Sequence, residues 1–94
     1  MLTLTDRAAE TIRILISQPG IPADTGLRMS LQDNEAGTLA LALAAPQPDD
    51  AVIEEAGARV FVQRDAAAMV ADRELDAELD EQGRASFRLA AQAG

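Results

Sequence analysis

Asp33, Asn34 and Glu35, in "DNEAG", and Glu74, Asp76, Glu78 and Asp80, in "ELDAELD", are the residues whose types and spacing bear most directly on chemistry. The first group offers oxygen ligands of the kind that hard cations such as Ca²⁺ or Mg²⁺ take. The same residue types supply the geometry of a tight turn, which accounts for "DNEAG" without a metal. The second group recurs at every other position, so its four carboxylates fall on one face of a strand. Such a row is either a solvated face balanced by arginines or an acidic docking face for a basic partner. Neither group forms an acid–base pair, because a general acid needs a carboxyl whose pKa is raised by burial or by a neighbour. Ser17, Ser30 and Ser86 have no histidine partner, and neither a G-x-S-x-G elbow nor an S-x-x-K pair is present. No residue is assigned a catalytic, cofactor-binding or metal-ligating role, and the expectation is a protein that is not an enzyme and carries no cofactor.

Composition supports that expectation. The 94 residues contain no cysteine and no histidine, which excludes the usual structural zinc sites, thiolate nucleophiles, disulfides and histidine acid–base chemistry. Eight arginines and no lysine stand against sixteen carboxylates, for a net charge of -8. Binding to nucleic acid or to an anionic bilayer depends on local positive charge, so neither is an expected partner. The opening "MLTLTDRAAETI" lacks a basic region followed by a long apolar run, and a cytoplasmic, acidic protein is expected. The expected partner is another protein or a second copy of the chain.

The elements that must position these residues follow from periodicity. In "LTLTDRAAETIRILIS", Thr5 is a helix N-cap, Asp6 sits in the first turn, and Ala8, Ala9, Ile12, Leu15 and Ile16 share one face. "SQPGIP" stops that helix. The period then changes to two: Leu27, Met29 and Leu31 alternate with Arg28, Ser30 and Gln32, and Leu39, Leu41 and Leu43 alternate with alanines. "AVIEEAGARVFVQRD" predicts a hairpin turning at Ala56 and Gly57, with Asp65 capping a short helical segment after it. In the last hairpin a three-residue loop, "EQG", with Gly83 left-handed, pairs Asp80 with Arg84, Asp76 with Arg88 and Ala77 with Phe87. Leu39, Leu41, Leu43, Val60, Val62, Phe87 and Leu89 are the expected strand contribution to the core. The alanine face of "TLALALAA" is a shallow apolar patch that another subunit or protein could cover. The whole chain, 1–94, is expected to form one domain.

The order "LTLTDRAAETI", "GLRMSL", "ARVFVQRD", "LDAELDEQGRASFRLA" resembles the HesB-like, or A-type iron–sulfur carrier, family over nearly the whole chain, and Leu75, Asp76, Gly83 and Phe87 look like members of its "LD------G-G-F" pattern. The resemblance implies an α+β HesB-like domain: a small barrel or sandwich of mostly antiparallel strands, an N-terminal helix and a second short helix. Members of that family carry a ligand cysteine two residues before a glycine in the turn after the "GLRMSL" strand, and a Cys-Gly-Cys pair near the C-terminus. Aligning on Gly37 places Glu35 at the cysteine position, and the Cys-Gly-Cys pair has no counterpart in these 94 residues. The expected function is a cysteine-free adaptor or structural module linked to iron–sulfur cluster assembly and unable to hold a cluster. The alternative is an assembly carrier or metal-binding protein that uses carboxylate ligands.

Overall fold

The computed structural model describes residues 2–31 and 39–91. Residues 33–37, which include Glu35, lie outside the described residues. The helix begins where its N-cap predicts. Thr5 has extended backbone, and its Oγ1 accepts from the Ala8 amide at 3.0 Å, which satisfies one of the free N–H groups at the start of α1, Asp6–Ile16. Ala8, Ala9 and Ile12 are buried along one face, joined by Thr11.

Before this helix, Thr3–Leu4 forms a short strand, β1, which the periodicity does not announce because two residues have no period. The other strands are β2 (Gly26–Leu31), β3 (Leu39–Ala44), β4 (Ala51–Glu55), β5 (Ala58–Val62), β6 (Arg73–Leu79) and β7 (Ala85–Ala91), with α2 (Arg64–Val70) between β5 and β6. They form two sheets, ordered β1-β6-β7 and β3-β2-β5-β4. Three of the five strand pairings are antiparallel, while β1–β6 and β2–β5 are parallel. The architecture is α+β with two mixed sheets, and no closed barrel forms among the described residues.

Both predicted hairpins have the expected register. Asp76 pairs with Arg88 and Ala77 with Phe87; Gly83 has φ +79° and donates its N–H to the Asp80 carbonyl at 3.0 Å. Between β4 and β5, Glu55 pairs with Ala58, leaving Ala56 and Gly57 as a two-residue turn with φ of 51° and 85°. A left-handed alanine is strained because its Cβ crowds the backbone, and asparagine tolerates that conformation better. Ala56→Asn is therefore expected to stabilise the protein by about 0.5–1 kcal/mol in chemical denaturation.

The core lies where α1 and α2 cover β2, β5 and β6. Leu4, Ile12, Leu27, Met29, Val60, Val62, Val70 and Leu75 are buried in it. Val60 and Val62 behave as expected, whereas Leu39, Phe87 and Leu89 are only half-buried at its margin. Leu41 and Leu43 differ more, being 37% and 38% exposed. They share a face with their register partners Met29 and Leu27, both buried. The helices pack mainly on β2, β5 and β6, and β3 stands at the sheet margin beyond that cover.

Phe61 fills a second, smaller site on the opposite side of the same sheet. Its ring lies against Gly26, where a Cβ would come within 2.7 Å of the ring and 2.8 Å of the Arg59 carbonyl. Only glycine leaves room for that contact. The cap assigned to α2 also changes: Gln63 occupies the N-cap position and Asp65 falls inside the first turn. The Gln63 side chain instead accepts from the Leu31 amide at 2.9 Å, tying the start of α2 to β2.

Candidate functional site

The acidic row on β6 is built into a junction between the two ends of the chain. Asp76 faces away from the core, on the opposite side of the strand from Leu75 and Ala77. Its Oδ1 accepts from Thr5 Oγ1 at 2.7 Å, from Arg7 Nε at 3.2 Å and from the Ala77 amide at 2.9 Å. Its Oδ2 accepts from Arg7 Nη2 at 2.6 Å and Arg88 Nη2 at 2.9 Å. The Arg7 contact, followed by the Thr5 hydroxyl, holds the Asp76 carboxyl well below the usual carboxylate range. Thr5 thus caps α1 with one lone pair and donates its proton to β6, so one hydroxyl joins the helix start to the strand.

Arg7 also reaches Glu78 at 3.3 Å, and Arg84 reaches Asp80 at 3.2 Å. The Asp80 carboxyl is lowered chiefly by the Arg84 amide, which donates to it at 2.8 Å. Glu74, in the register position beside Thr3 and Ala90, begins the row. The structure therefore brings Asp76, Glu78 and Asp80 together with Arg7, Arg84 and Arg88. The face it offers is one of mixed charge. Asp76→Ala is expected to lower the thermal midpoint and to speed hydrogen exchange at the first turn of α1, because Thr5, Arg7 and Arg88 all lose their acceptor.

Arg88 and Arg84 are legible as partners from the hairpin register. Arg7 is not, since it lies 69 residues from Asp76 in sequence. The one available signal is the pair of stretches "LTLTDR" and "ELD" in the family resemblance, whose members Thr5 and Asp76 meet in space. Each position matched to the family pattern has a physical role in the fold: Leu75 is fully buried, Asp76 accepts from α1, Gly83 takes the left-handed turn position and Phe87 pairs with Ala77.

A second polar cluster lies on the outer face of the four-stranded sheet. Arg28 on β2 donates through Nε and Nη2 to Asp50 at 2.8 and 3.0 Å, and the Gln47 amide donates to the same carboxylate at 2.9 Å. The Asp50 side chain is 2% exposed and that of Arg28 20%. Together with Gln47, Asp49, Gln63, Arg64 and Asp65 they line a cavity of about 350 Å³. Asp49 and Asp65 are exposed, and the Asp50 carboxyl is lowered by Arg28. The cavity therefore holds one buried carboxylate, stabilised in its charged form, whereas a general acid requires the opposite shift. Among the described residues, no group of three or more carboxylates is arranged to hold a metal ion. No helix among them is long and apolar enough to cross a membrane.

No protein-family model and no curated protein matches the chain. Solved structures do. The chain is similar to Escherichia coli SufA, described as involved in biosynthesis of iron–sulfur clusters, with a TM-score of 0.74 and 29% identity over 96% of this chain and 84% of that one. It is similar to IscA with its [2Fe-2S] cluster, with a TM-score of 0.62 and 24% identity over 97% of this chain and 82% of that one. A protein from Aquifex aeolicus solved by NMR gives a TM-score of 0.69 and 22% identity over 97% of this chain and 91% of that one. The chain therefore has the HesB-like α+β fold of these structures, carried by a sequence of 94 residues without cysteine.

Proposed function

We propose that this chain is a non-enzymatic, protein-binding HesB-like module, an adaptor in iron–sulfur cluster assembly that does not itself ligate a cluster. The observation that carries the proposal is the donor set: a carrier fold with no cysteine and no histidine anywhere in its 94 residues. Iron–sulfur clusters are held by thiolates, with histidine replacing two of them in Rieske centres. Carboxylates are hard oxygen donors suited to Mg²⁺, Ca²⁺ and Mn²⁺. Glu35, at the position matching a family cysteine, brings one such oxygen donor where the cluster chemistry needs soft sulfur. The residues shared with the family pattern explain the fold, and the residues missing from it are those the chemistry requires. Retention of the scaffold without the ligands fits a role in contacting other proteins.

Anaerobic reconstitution with iron and sulfide, followed by gel filtration and metal and sulfide analysis, tests this. The expected result is a colourless protein peak without iron or sulfide. Stoichiometric iron and sulfide, with a visible charge-transfer band, would overturn the proposal and return the chain to the carriers with oxygen coordination.

A further inference from the structure

The helix α2 packs chiefly on β2 and β6, and the space it leaves beside β4 is an open apolar cavity of about 190 Å³. Ala51 and Ile53 of β4, Val62 of β5 and Ala67 and Val70 of α2 line it, and every described lining residue is apolar. The volume is below the roughly 300–1,000 Å³ of sites that take a drug-sized ligand and close to the ~150 Å³ apolar cavity that takes a benzene ring. It suits one aliphatic or aromatic side chain.

The strand beside the cavity is a margin of the four-stranded sheet, so alternate residues of β4 turn their N–H and C=O groups away from β5. On the opposite face of β4 from Ala51 and Ile53, Val52 is 49% exposed. A small molecule in the cavity would leave Val52 and the backbone edge uncovered, whereas a strand laid along β4 meets the edge and sends alternate side chains to both faces. Strand addition takes affinity from main-chain hydrogen bonds and specificity from pockets for alternate side chains.

We propose that β4 takes an extended, basic segment of a different protein as a fifth strand, with one apolar side chain of that segment seated in the cavity. The proposal rests on the adaptor reading above and names the surface and the chemistry of the protein it contacts. Charge selects that chemistry. The exposed charged side chains within two residues of the cavity lining are Asp49, Glu54, Glu55, Asp65 and Asp72, against Arg64 and Arg73. A second copy of the chain would bring its own charge of -8 to an edge that ends in two carboxylates, and like charges opposed across a ladder are destabilising. Lysine or arginine on either side of the inserted residue turns that repulsion into attraction.

The test is an amide and methyl NMR titration of the full chain with the capped heptapeptide RKVLVKR to millimolar concentration. RKVAVKR, which lacks the inserted side chain, and the acidic EEVLVEE are the controls. RKVLVKR is expected to shift the amides of 51–55 and the methyl groups of Ile53, Val62 and Val70, RKVAVKR to bind about tenfold more weakly or less, and EEVLVEE not to bind. Ala67→Leu, which fills the cavity, is expected to weaken RKVLVKR by a similar factor. Glu54→Arg with Glu55→Arg, at two exposed positions, is expected to reverse the preference toward EEVLVEE. No shift with RKVLVKR, equal affinity for the basic and acidic peptides, or shifts at the cavity without shifts in the β4 amides would overturn the proposal. Concentration-dependent shifts at β4 without peptide would also overturn it, by giving the edge to a second copy. Iron and sulfide content is measured separately on the same protein: a cluster-free chain that ignores the peptide overturns this site alone, and a cluster-bearing chain that binds it overturns the adaptor reading alone.

Discussion

Leu75→Ala is expected to lower the unfolding free energy by about 3–5 kcal/mol, the range for truncating a leucine at a site that cannot collapse. Leu75 is fully buried in the middle strand of its sheet, with Leu4 of β1 as its parallel partner and Leu89 of β7 as its antiparallel one. Three elements therefore hold the cavity open: β1, β7 and α1, which packs across the same strand. Small domains are stable by only about 5–15 kcal/mol, so the substitution removes a large share of the total. Urea denaturation measures it directly. Leu41→Ala provides the comparison, with a cost of about 1 kcal/mol because more than one-third of that side chain already meets water. Equal losses at the two positions would contradict the placement of β3 outside the helical cover.

Asp50→Ala is expected to cost about 2–4 kcal/mol, because it leaves the Arg28 guanidinium largely buried without its carboxylate. A double-mutant cycle with Arg28→Ala separates the pair's coupling from the loss of each side chain alone. The pH dependence follows from the sign of the shift. Arg28 lowers the Asp50 carboxyl below its ordinary value, so the contribution is fully present above the unfolded pKa of about 3.9 and is lost as pH falls through the lower folded value. Asp76 and Asp80 are shifted the same way and add to the same acid limb. With no histidine or cysteine, no side chain has its ordinary titration between about pH 5 and 8. Stability measured by urea titration should be nearly flat across that interval and fall below about pH 4. Asp50→Asn should flatten part of that fall. A steep change near pH 6.5 would contradict the assignment.

How much of this was legible in the sequence depends on how far apart the interacting residues are. The β6–β7 register could be derived because Gly83, the loop length and the alternation of Leu75, Ala77 and Leu79 are all local, and a one-residue slip would turn every side chain to the wrong face. The Ala56–Gly57 hairpin and the Thr5 cap were legible for the same reason. The parallel β2–β5 pairing, the Arg28–Asp50 ion pair across 22 residues and the Arg7–Asp76 contact across 69 were not. No periodicity within either partner of such a pair refers to the other. Glu35 was placed by its spacing before Gly37, and its turn lies outside the described residues.

The sequence by itself determined the available chemistry. These 94 residues offer no thiolate and no imidazole, the donors that thiolate and Rieske clusters use. It also determined the local hairpins and the first helix, since turn residues and side-chain period act over a few positions. Only the tertiary structure decided which apolar strand faces are core and which carboxylates are matched. Leu75 and Leu41 stand in similar alternating strands, yet one is sealed between two strands and a helix while the other sits at an open margin. Burial depends on what packs over a residue, and strand alternation specifies a face without specifying its cover.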